Sequence, residues 1–498
     1  MKGSLPFLLV CLLLTACVSH DPSLSVALPL PRPPSEPIPE ALSLEDAVRL
    51  ALTHNPDLQL RAIEPLIAGT FLAREQARFA PEVFAEVSRR EARSSETARA
   101  TGEQFNAEVE QTRISGGVQQ TLPTGTEITL SARQLAESSN RAPDQEEARL
   151  ALSLTQALLQ GGGRSSLLTV ERARRGIDLS HAEFAGFVEA LVTEVELAYW
   201  QFWLAEQAIA ITRQAMEVAE IQLSELRSRI EVGQLPRNEE AVALAELSRR
   251  RQDYVDATAN LERRRLDLLG LLKPGEHLAR FRATALPDLP EADLAESLEL
   301  RARLALTHRA DLREARLRRE QRQLDTQLTR NGLLPRLDFF AELAKTGFGP
   351  DRGAAWSDID GDSYDVQAGL RFSRSLGERA EDSRHAEARF REEQADLALR
   401  NLESRIELEL KLALNELDRA LRQVELSQDT RRFQQLTVEA EVERFNAGAG
   451  TALQVAQAQR DLLSALIAEQ RARVQARSAY LNLLRSEGTL LDRRGITP

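Results

Sequence analysis

Residues 191–230, LVTEVELAYWQFWLAEQAIAITRQAMEVAEIQLSELRSRI, decide the fold of this chain. Apolar side chains recur at every seventh position from Val195 to Ile230, and a second stripe that starts at Leu191 holds mostly small residues. This heptad pattern predicts a coiled-coil seam along which two helices approach closely. Because no proline occurs from residue 165 to residue 232, we predict one helix of 68 residues, roughly 100 Å long.

The second half of the chain repeats this design. A matching helix of 68 residues is predicted at 379–446, and the two long helices end at Gly233 and Gly448. A returning helix with its own apolar stripe follows each glycine. Two segments recur at an offset of 254 residues, namely Ser43-Leu44-Glu45 as Ser297-Leu298-Glu299, and LALTH of 50–54 as 304–308. We therefore interpret the body of the chain as an internal duplication.

The two halves differ in length. Around the two glycines the echoes are 215 residues apart, so the first half holds about 39 residues more than the second. The excess lies between Pro81 and Ala198 and includes the turn Leu122-Pro123-Thr124-Gly125-Thr126. It could add a hairpin to a sheet or fold outside it, and the sequence leaves the strand count open.

Short helices open each half. Ser43 and Asp46 have capping-box spacing, and a second helix is predicted to start at Asn55-Pro56. Pro65 should kink that second helix, whereas the other half has Arg319 at the equivalent position.

Strand-like segments lie between these short helices and the long helix of each half. The predicted strands are 83–87, 114–122, 127–132 and 150–154 in the first half, and 337–343 and 364–372 in the second. Even the smallest single-chain membrane barrels use about eight strands. Either several copies of the chain pool their strands, or the strands belong to a soluble sheet.

Composition excludes several classes of protein. The 498 residues carry a net charge of −12, which disfavours a general nucleic-acid-coating role. The only cysteines are Cys11 and Cys17, and the six histidines lack metal-ligand spacing. Neither a phosphate-binding GxxxxGK[ST] loop nor a GxSxG nucleophile motif occurs. We predict no catalytic residues, no metal site and no cofactor, and therefore no enzyme.

The N-terminus has the pattern of an export signal. Lys2 precedes an apolar run of about ten residues, which is too short to span a bilayer. The run ends in Leu14-Thr15-Ala16-Cys17, which resembles a bacterial lipobox and implies cleavage before Cys17 and acylation of that residue. The alternative is an ordinary signal peptide that contains a cysteine.

These patterns divide the chain into six parts. They are a signal peptide at 1–16, a lipid anchor and proline-rich tether at 17–40, a first repeat at 41–272, a linker at 273–292, a second repeat at 293–487 and a tail at 488–498.

Several short motifs occur in one order along the chain. They are Asn55-Pro56-Asp57-Leu58, Gln156-Ala157-Leu158-Leu159 with Gly161-Gly162-Gly163, Ala198-Tyr199-Trp200, and an arginine four residues before each of the two glycines. With the duplication and the helix lengths, they make residues 42–491 resemble the TolC family of outer-membrane efflux proteins.

The resemblance implies a mainly α fold with a membrane β-barrel. Three copies would pool their strands into one outer-membrane barrel, and the long helical hairpins would form a periplasmic α-barrel. The protein would be a passive exit duct of a tripartite efflux or type I secretion system, driven by an inner-membrane pump through a periplasmic adaptor. It would lie in the outer membrane, lipid-anchored, with a large periplasmic portion. The rival hypothesis is a lipid-anchored periplasmic coiled-coil protein without a pore.

The resemblance also suggests where the partner binds. The expected adaptor contacts lie around the two helix tips, at Arg229, Val232, Gly233, Pro236, Arg444, Phe445, Gly448 and Thr451. Members of the family often carry acidic residues just beyond the second tip glycine, where the channel entrance narrows. This chain has Gln454 and Gln457 there, so an acidic ring is not supported. The cargo, whether a drug, a metal ion or a polypeptide, stays open.

Overall fold

The computed structural model describes residues 38–97, 102, 104–140, 142–275, 279–284, 297–377 and 379–497. Most of these residues are helical, as predicted, and six strands form one large sheet. The predicted signal peptide, Cys17, nearly all of the tether and more than half of the 273–292 linker lie outside the described residues. None of the helices in the described ranges has the length and apolar character needed to cross a membrane.

The helices and strands are numbered in chain order. The helices are α1 Leu44–His54, α2 Pro56–Arg61, α3 Glu64–Ala77, α4 Leu168–Glu231, α5 Asn238–Leu272, α6 Leu298–His308, α7 Ala310–Gly332, α8 Arg352–Ser357, α9 Arg379–Asn446, α10 Ala452–Glu487 and α11 Leu490–Arg493. The strands are β1 Ala41–Leu42, β2 Glu82–Thr97, β3 Gln104–Thr121, β4 Thr126–Ser139, β5 Ala142–Ala157, β6 Arg282–Ala283, β7 Arg336–Gly349 and β8 Tyr364–Ser373.

The chain forms two compact units. The sheet unit contains residues 68–177 and 319–394, and the helical unit contains the remaining described residues, 38–67, 178–318 and 395–497.

The sheet unit is built on six strands in the order β2-β3-β4-β5-β7-β8, and every neighbouring pair is antiparallel. All six predicted strand segments fall on these strands, but the strands run several residues further. The extension of β2 is held by cross-strand ion pairs, in which Arg89 lies 2.8 Å from Glu110 and Arg93 lies 2.6 Å from Glu108. Such a run lacks an apolar alternation, so period-two reasoning ends the strand too early.

The excess of the first half is one β-hairpin. The first half contributes four strands to the sheet and the second half two. The hairpin of β3 and β4 spans residues 104–139, 36 residues against the predicted excess of about 39. It lies within the sheet, between β2 and β5. The structure therefore decides the open question in favour of added strands.

The long helices agree with the heptad prediction. Helix α9 has the predicted bounds, and α4 starts three residues late because Gly163–Leu167 forms a 3₁₀ turn before it. In the helical unit the predicted stripe is buried, with Val195 and Leu410 fully inaccessible to solvent.

The short helices show the duplication in their caps. The hydroxyl of Ser43 accepts a hydrogen bond from the backbone N–H of Asp46 at 3.0 Å, and Ser297 accepts one from Leu300 at 3.4 Å. Near Pro65 the first repeat breaks into α2 and α3, whereas α7 of the second repeat continues without interruption. The predicted kink is thus a complete break, since proline fits only the first turn of a helix.

The helical unit has one large apolar core, which includes Tyr199, Trp200 and Phe202 of α4. The hydroxyl of Tyr199 donates to the backbone carbonyl of Leu42 at 2.9 Å and accepts from the N–H of Thr284 at 3.0 Å. It thereby ties α4 to the two-residue parallel bridge of β1 and β6. These aromatic residues are core packing.

Two buried ion pairs hold the C-terminal end of the chain in the helical unit. Arg301 of α6 pairs with Glu487 of α10, and both side chains are fully buried. Glu487 also accepts from the hydroxyl of Thr489 at 3.0 Å. Arg494 grips the buried carboxylate of Glu196 with two hydrogen bonds of 2.7 Å. Breaking a buried pair costs far more than breaking an exposed one, because a charge is left in a low-dielectric site.

We expect Glu487→Gln to destabilise the folded protein by about 3–5 kcal/mol, because Arg301 would keep its buried charge without the facing carboxylate. Thermal unfolding in detergent should show a clear drop in Tm. Asp418→Asn, which removes the partner of the exposed Arg422, should cost less than about 1 kcal/mol. Equal losses in the two variants would contradict this assignment.

Candidate functional site: the two-faced sheet and the helix tips

One face of the sheet is polar. Directly paired residues share a face, and the row Glu82, Gln119, Thr129, Ser153, Glu342 and Gln367 crosses all six strands. Ion pairs link this face across strands. Arg149 lies 2.8 Å from Glu342 and 2.9 Å from Asp365, and Arg133 lies 2.8 Å from Glu147. The polar groups of this face suit contact with water.

The other face is apolar and uncovered along its middle. Its central row crosses all six strands through Val83, Val118, Leu130, Leu152, Leu343 and Val366. Five of these six side chains are 47–63% exposed. Soluble proteins rarely leave so continuous an apolar surface open, so this face calls for a nonpolar environment.

Both edges of the sheet are open. Strands β2 and β8 each pair with one neighbour among the described residues. The β8 edge is apolar and exposed, with Val366, Leu370 and Phe372 each 63–65% accessible. A long apolar edge of this kind is a template for pairing with another strand.

The turn of the extra hairpin is anchored at the start of α4. Thr124 accepts a hydrogen bond from the backbone N–H of Gly163 at 3.0 Å, and Gly125 accepts one from Ala157 at 3.3 Å. Gly125 has a φ of +79°, and a Cβ there would lie 2.6 Å from the carbonyl oxygen of Gly161. Only glycine fits this approach without strain. The two glycine-containing motifs of the sequence therefore meet at one junction.

The two predicted tips have the same hydrogen bonds. At the first, Gly233 donates to the carbonyl of Ile230 and Gln234 to that of Arg229; Gly448 and Ala449 repeat this pattern in the second. Both glycines have a φ near +75°, so each long helix ends in a glycine-capped Schellman turn. The predicted offset of 215 residues thus holds at single hydrogen bonds.

The tip residues fall into two groups. Arg229 joins the two tips, since it donates to the side-chain oxygen of Asn446 at 3.0 Å and lies over the ring of Phe445 at 5.8 Å. Arg444, its counterpart, instead pairs with Glu441 on its own helix at 2.9 Å. Sequence reasoning missed Asn446, because it carries no signal beyond its place before the glycine. The turn residue Val232 is 70% exposed, and Gly233, Pro236 and Gly448 are also exposed.

The returning helices start differently. Thr451 and Gln454 form a capping box at α10, in which Gln454 N–H lies 3.4 Å from the threonine hydroxyl and its side-chain oxygen accepts from the N–H of Thr451 at 2.9 Å. Helix α5 starts after Arg237 without a side-chain cap. Gln454 is thus engaged with the helix end, whereas Gln457 is exposed one turn later.

A separate cavity of about 890 Å³ in the helical unit is lined by charged side chains, among them Glu189, Arg309, Asp311 and Arg485. Burial raises the pKa of Glu189 to about 7, against the opposing attraction of Arg485. Its Oε1 atom is buried and has no hydrogen-bond partner among the described residues. In the described part of the chain no cluster of side chains could hold a metal ion.

We expect Glu189 to make stability depend on pH. Below its ordinary value of 4.5 the carboxyl is protonated in both states. As the pH rises from about 4.5 to about 7, the unfolded chain loses this proton first, so the folded state loses stability over that window. Glu189→Gln should raise Tm relative to the natural chain at pH 8 and leave it unchanged at pH 4. The matched variant of the exposed Glu194 on the same helix should show no such difference, and parallel pH profiles for the two variants would refute the prediction.

Comparison with known proteins agrees with the predicted resemblance. Residues 302–489 match the outer membrane efflux protein family. The fold matches the CmeC outer membrane channel of Campylobacter jejuni with a TM-score of 0.67, at 17% identity over 90% of this chain and 86% of that chain. It matches the outer membrane protein VceC of Vibrio cholerae with a TM-score of 0.66, at 16% identity over 89% of this chain and 96% of that chain.

The open-state MtrE channel of Neisseria gonorrhoeae matches with a TM-score of 0.62, at 16% identity over 90% of this chain and 89% of that chain. No curated protein matches by sequence. The predicted resemblance to the outer-membrane efflux proteins is confirmed, and the chain has the fold of their channels.

Proposed function

We propose that this chain, with the fold of the outer membrane efflux channels, is a passive exit duct in the outer membrane. The two-faced sheet carries the proposal. A wall between lipid and a water-filled passage needs one apolar and one polar face, and the six strands provide both in register.

The height of the apolar face fits a bilayer. On β7 this face includes every second residue from Leu337 to Gly347. Ten residue steps of about 3.4 Å span about 34 Å along the strand, or about 25 Å across a membrane at a tilt near 40°. Phe339 and Phe372 lie at one end of this face and Tyr364 towards the other, as in aromatic girdles.

We propose that three copies close the sheet into one barrel and that their helical hairpins form the periplasmic tunnel. In lipid every backbone polar group needs a partner, so the open edges of β2 and β8 must be paired. A homotrimer is what the resemblance implies, and it supplies those partners.

A passive duct depends on another protein for energy. We propose that an inner-membrane pump supplies it and that a periplasmic adaptor binds the helix tips. The exposed turns around Gly233 and Gly448 suit such docking, because they place Val232 and backbone groups at the surface. We further propose that Cys17 carries the lipid anchor and that the predicted six-part division of the chain holds in the mature protein.

We expect the purified protein to be a trimer by native mass spectrometry and to conduct ions in planar bilayers. Introducing a charge on the lipid face should impair insertion, because a lysine at the membrane midplane costs about 2–4 kcal/mol. Val366→Lys should therefore reduce the amount of protein recovered in the outer membrane.

The neighbouring Gln367→Lys, on the polar face, should insert normally and serves as the matched control. A monomer, or a trimer that stays non-conducting even with substitutions that loosen the tips, would favour the pore-free coiled-coil alternative.

We expect a photo-crosslinking residue at Val232 to capture a periplasmic adaptor in intact cells, identified by its copurification with an inner-membrane pump. Val255 on α5 is similarly exposed, at 63% against 70%, and lies away from the tip turn, so it should give no such product. Capture at both positions, or at Val255 alone, would argue against docking at the tip.

A further inference from the structure

We infer that three copies of this chain close an 18-stranded barrel, in which β8 of one copy pairs with β2 of the next. The inference rests on the proposed trimeric duct and adds its strand count, its closing edges and the width of its passage. Six strands per chain in a trimer give this number.

The duplication itself shows that the count is raised. The second repeat contributes one pair of strands, β7 and β8, between its short helices and its long helix. A first repeat of the same design would contribute only β2 and β5, giving four strands per chain and twelve per trimer. The hairpin of β3 and β4 separates β2 from β5 and raises the total to six per chain.

The added hairpin is part of the wall. Strand β3 pairs with β2 along its whole length, from Glu82 opposite Gln119 to Thr97 opposite Gln104. Strand β4 pairs with β3 and β5 in the same way. The hairpin also continues both faces, since Thr129 lies in the polar row and Leu130 in the apolar row. A flap outside the barrel would need neither alternation.

The turn of the hairpin is fixed at the end of the sheet where α4 begins. The backbone of Gly163 donates to Thr124, and the positive φ of Gly125 lets this turn approach Gly161 closely. Membrane barrels have short turns on the periplasmic side, and this four-residue connection at 122–125 fits that side.

The open edges fit each other. An even number of alternating strands makes β8 antiparallel to β2 of the next copy, as closure requires. The exposed apolar residues of β8, such as Val366 and Leu370, would continue the lipid-facing surface towards Val83 and Val87 of β2, which are also exposed. A second copy of this chain is therefore the occupant of each edge.

The added strands widen the passage. With strands about 4.8 Å apart and tilted about 40°, eighteen strands give a backbone diameter of about 36 Å, against about 24 Å for twelve. Barrels of this strand number enclose an open aqueous channel. The barrel would thus admit bulky cargo, and selection by size would occur elsewhere along the duct.

Cysteine crosslinking tests the closing edges, since Cys11 and Cys17 are the only cysteines in the chain. Gln367→Cys on β8 is combined in turn with cysteine at Glu82, Glu86, Ser88 or Arg90, all on the polar face of β2. At least one pair should give disulfide-linked dimers and trimers on oxidation. Gln367→Cys with Thr129→Cys, three strands apart in one row, should give none. A trimer that no β2–β8 pair crosslinks would overturn the inference.

Thiol labelling tests whether β4 lies in the wall. In proteoliposomes, a membrane-impermeant maleimide should label Thr129→Cys at least about tenfold faster than Leu130→Cys, because a thiol in lipid is inaccessible and rarely ionised. Gln367→Cys and Val366→Cys give the reference contrast for β8, which belongs to the wall at either strand count.

Equal labelling at positions 129 and 130, with the contrast kept at 366 and 367, would place the hairpin outside the barrel and leave the duct intact. Loss of the contrast on both strands, together with a monomer, would instead reject the proposed function.

Discussion

The register of the six-stranded sheet is the constraint on which the rest of the molecule depends. Side chains alternate between the faces of a strand, so a slip by one residue would move a strand's apolar set to the polar face. The rows that contain Leu130 and Thr129 keep their character across all six strands. Cross-strand ion pairs such as Arg149 with Glu342 reinforce this register on the polar face. A slipped pairing would bury these charges against lipid and expose leucines to water.

Duplication explains why the helical unit needs so little information to form. Both long helices end in the same turn, with matching hydrogen bonds 215 residues apart at Gly233 and Gly448. Both short opening helices start with a serine cap, Ser43 or Ser297. The differences between the halves are local. Pro65 breaks one helix that is continuous in the other half, and one hairpin is added to the sheet.

The sequence predicted the helices better than the strands for a physical reason. A heptad stripe needs only one buried face, and α9 was placed at both ends from that pattern. The upper part of β2 is held instead by charge pairs such as Arg89 with Glu110, which leave no apolar alternation to detect. The place of the extra hairpin could not be predicted, because its pairing with β2 and β5 is a long-range property.

The candidate site was predicted in part. Arginines four residues before a glycine predicted two equivalent tips, and the structure gives both the same backbone turn. It does not give the two arginines equivalent partners, since Arg229 bonds to Asn446 whereas Arg444 pairs with Glu441. Gln454 was predicted from its distance beyond Gly448, and only the structure shows that its side chain caps a helix.

The unequal starts of the returning helices have a mechanical consequence. A side-chain cap adds about 1 kcal/mol to the end of a helix, which changes a local equilibrium about fivefold. The first turn of α10 has this support from Thr451, and the first turn of α5 lacks it. Fraying therefore begins at the first hairpin, and backbone amides there exchange with solvent sooner than their counterparts in the second. Two nearly identical hairpins are in this way given a soft member and a stiff one.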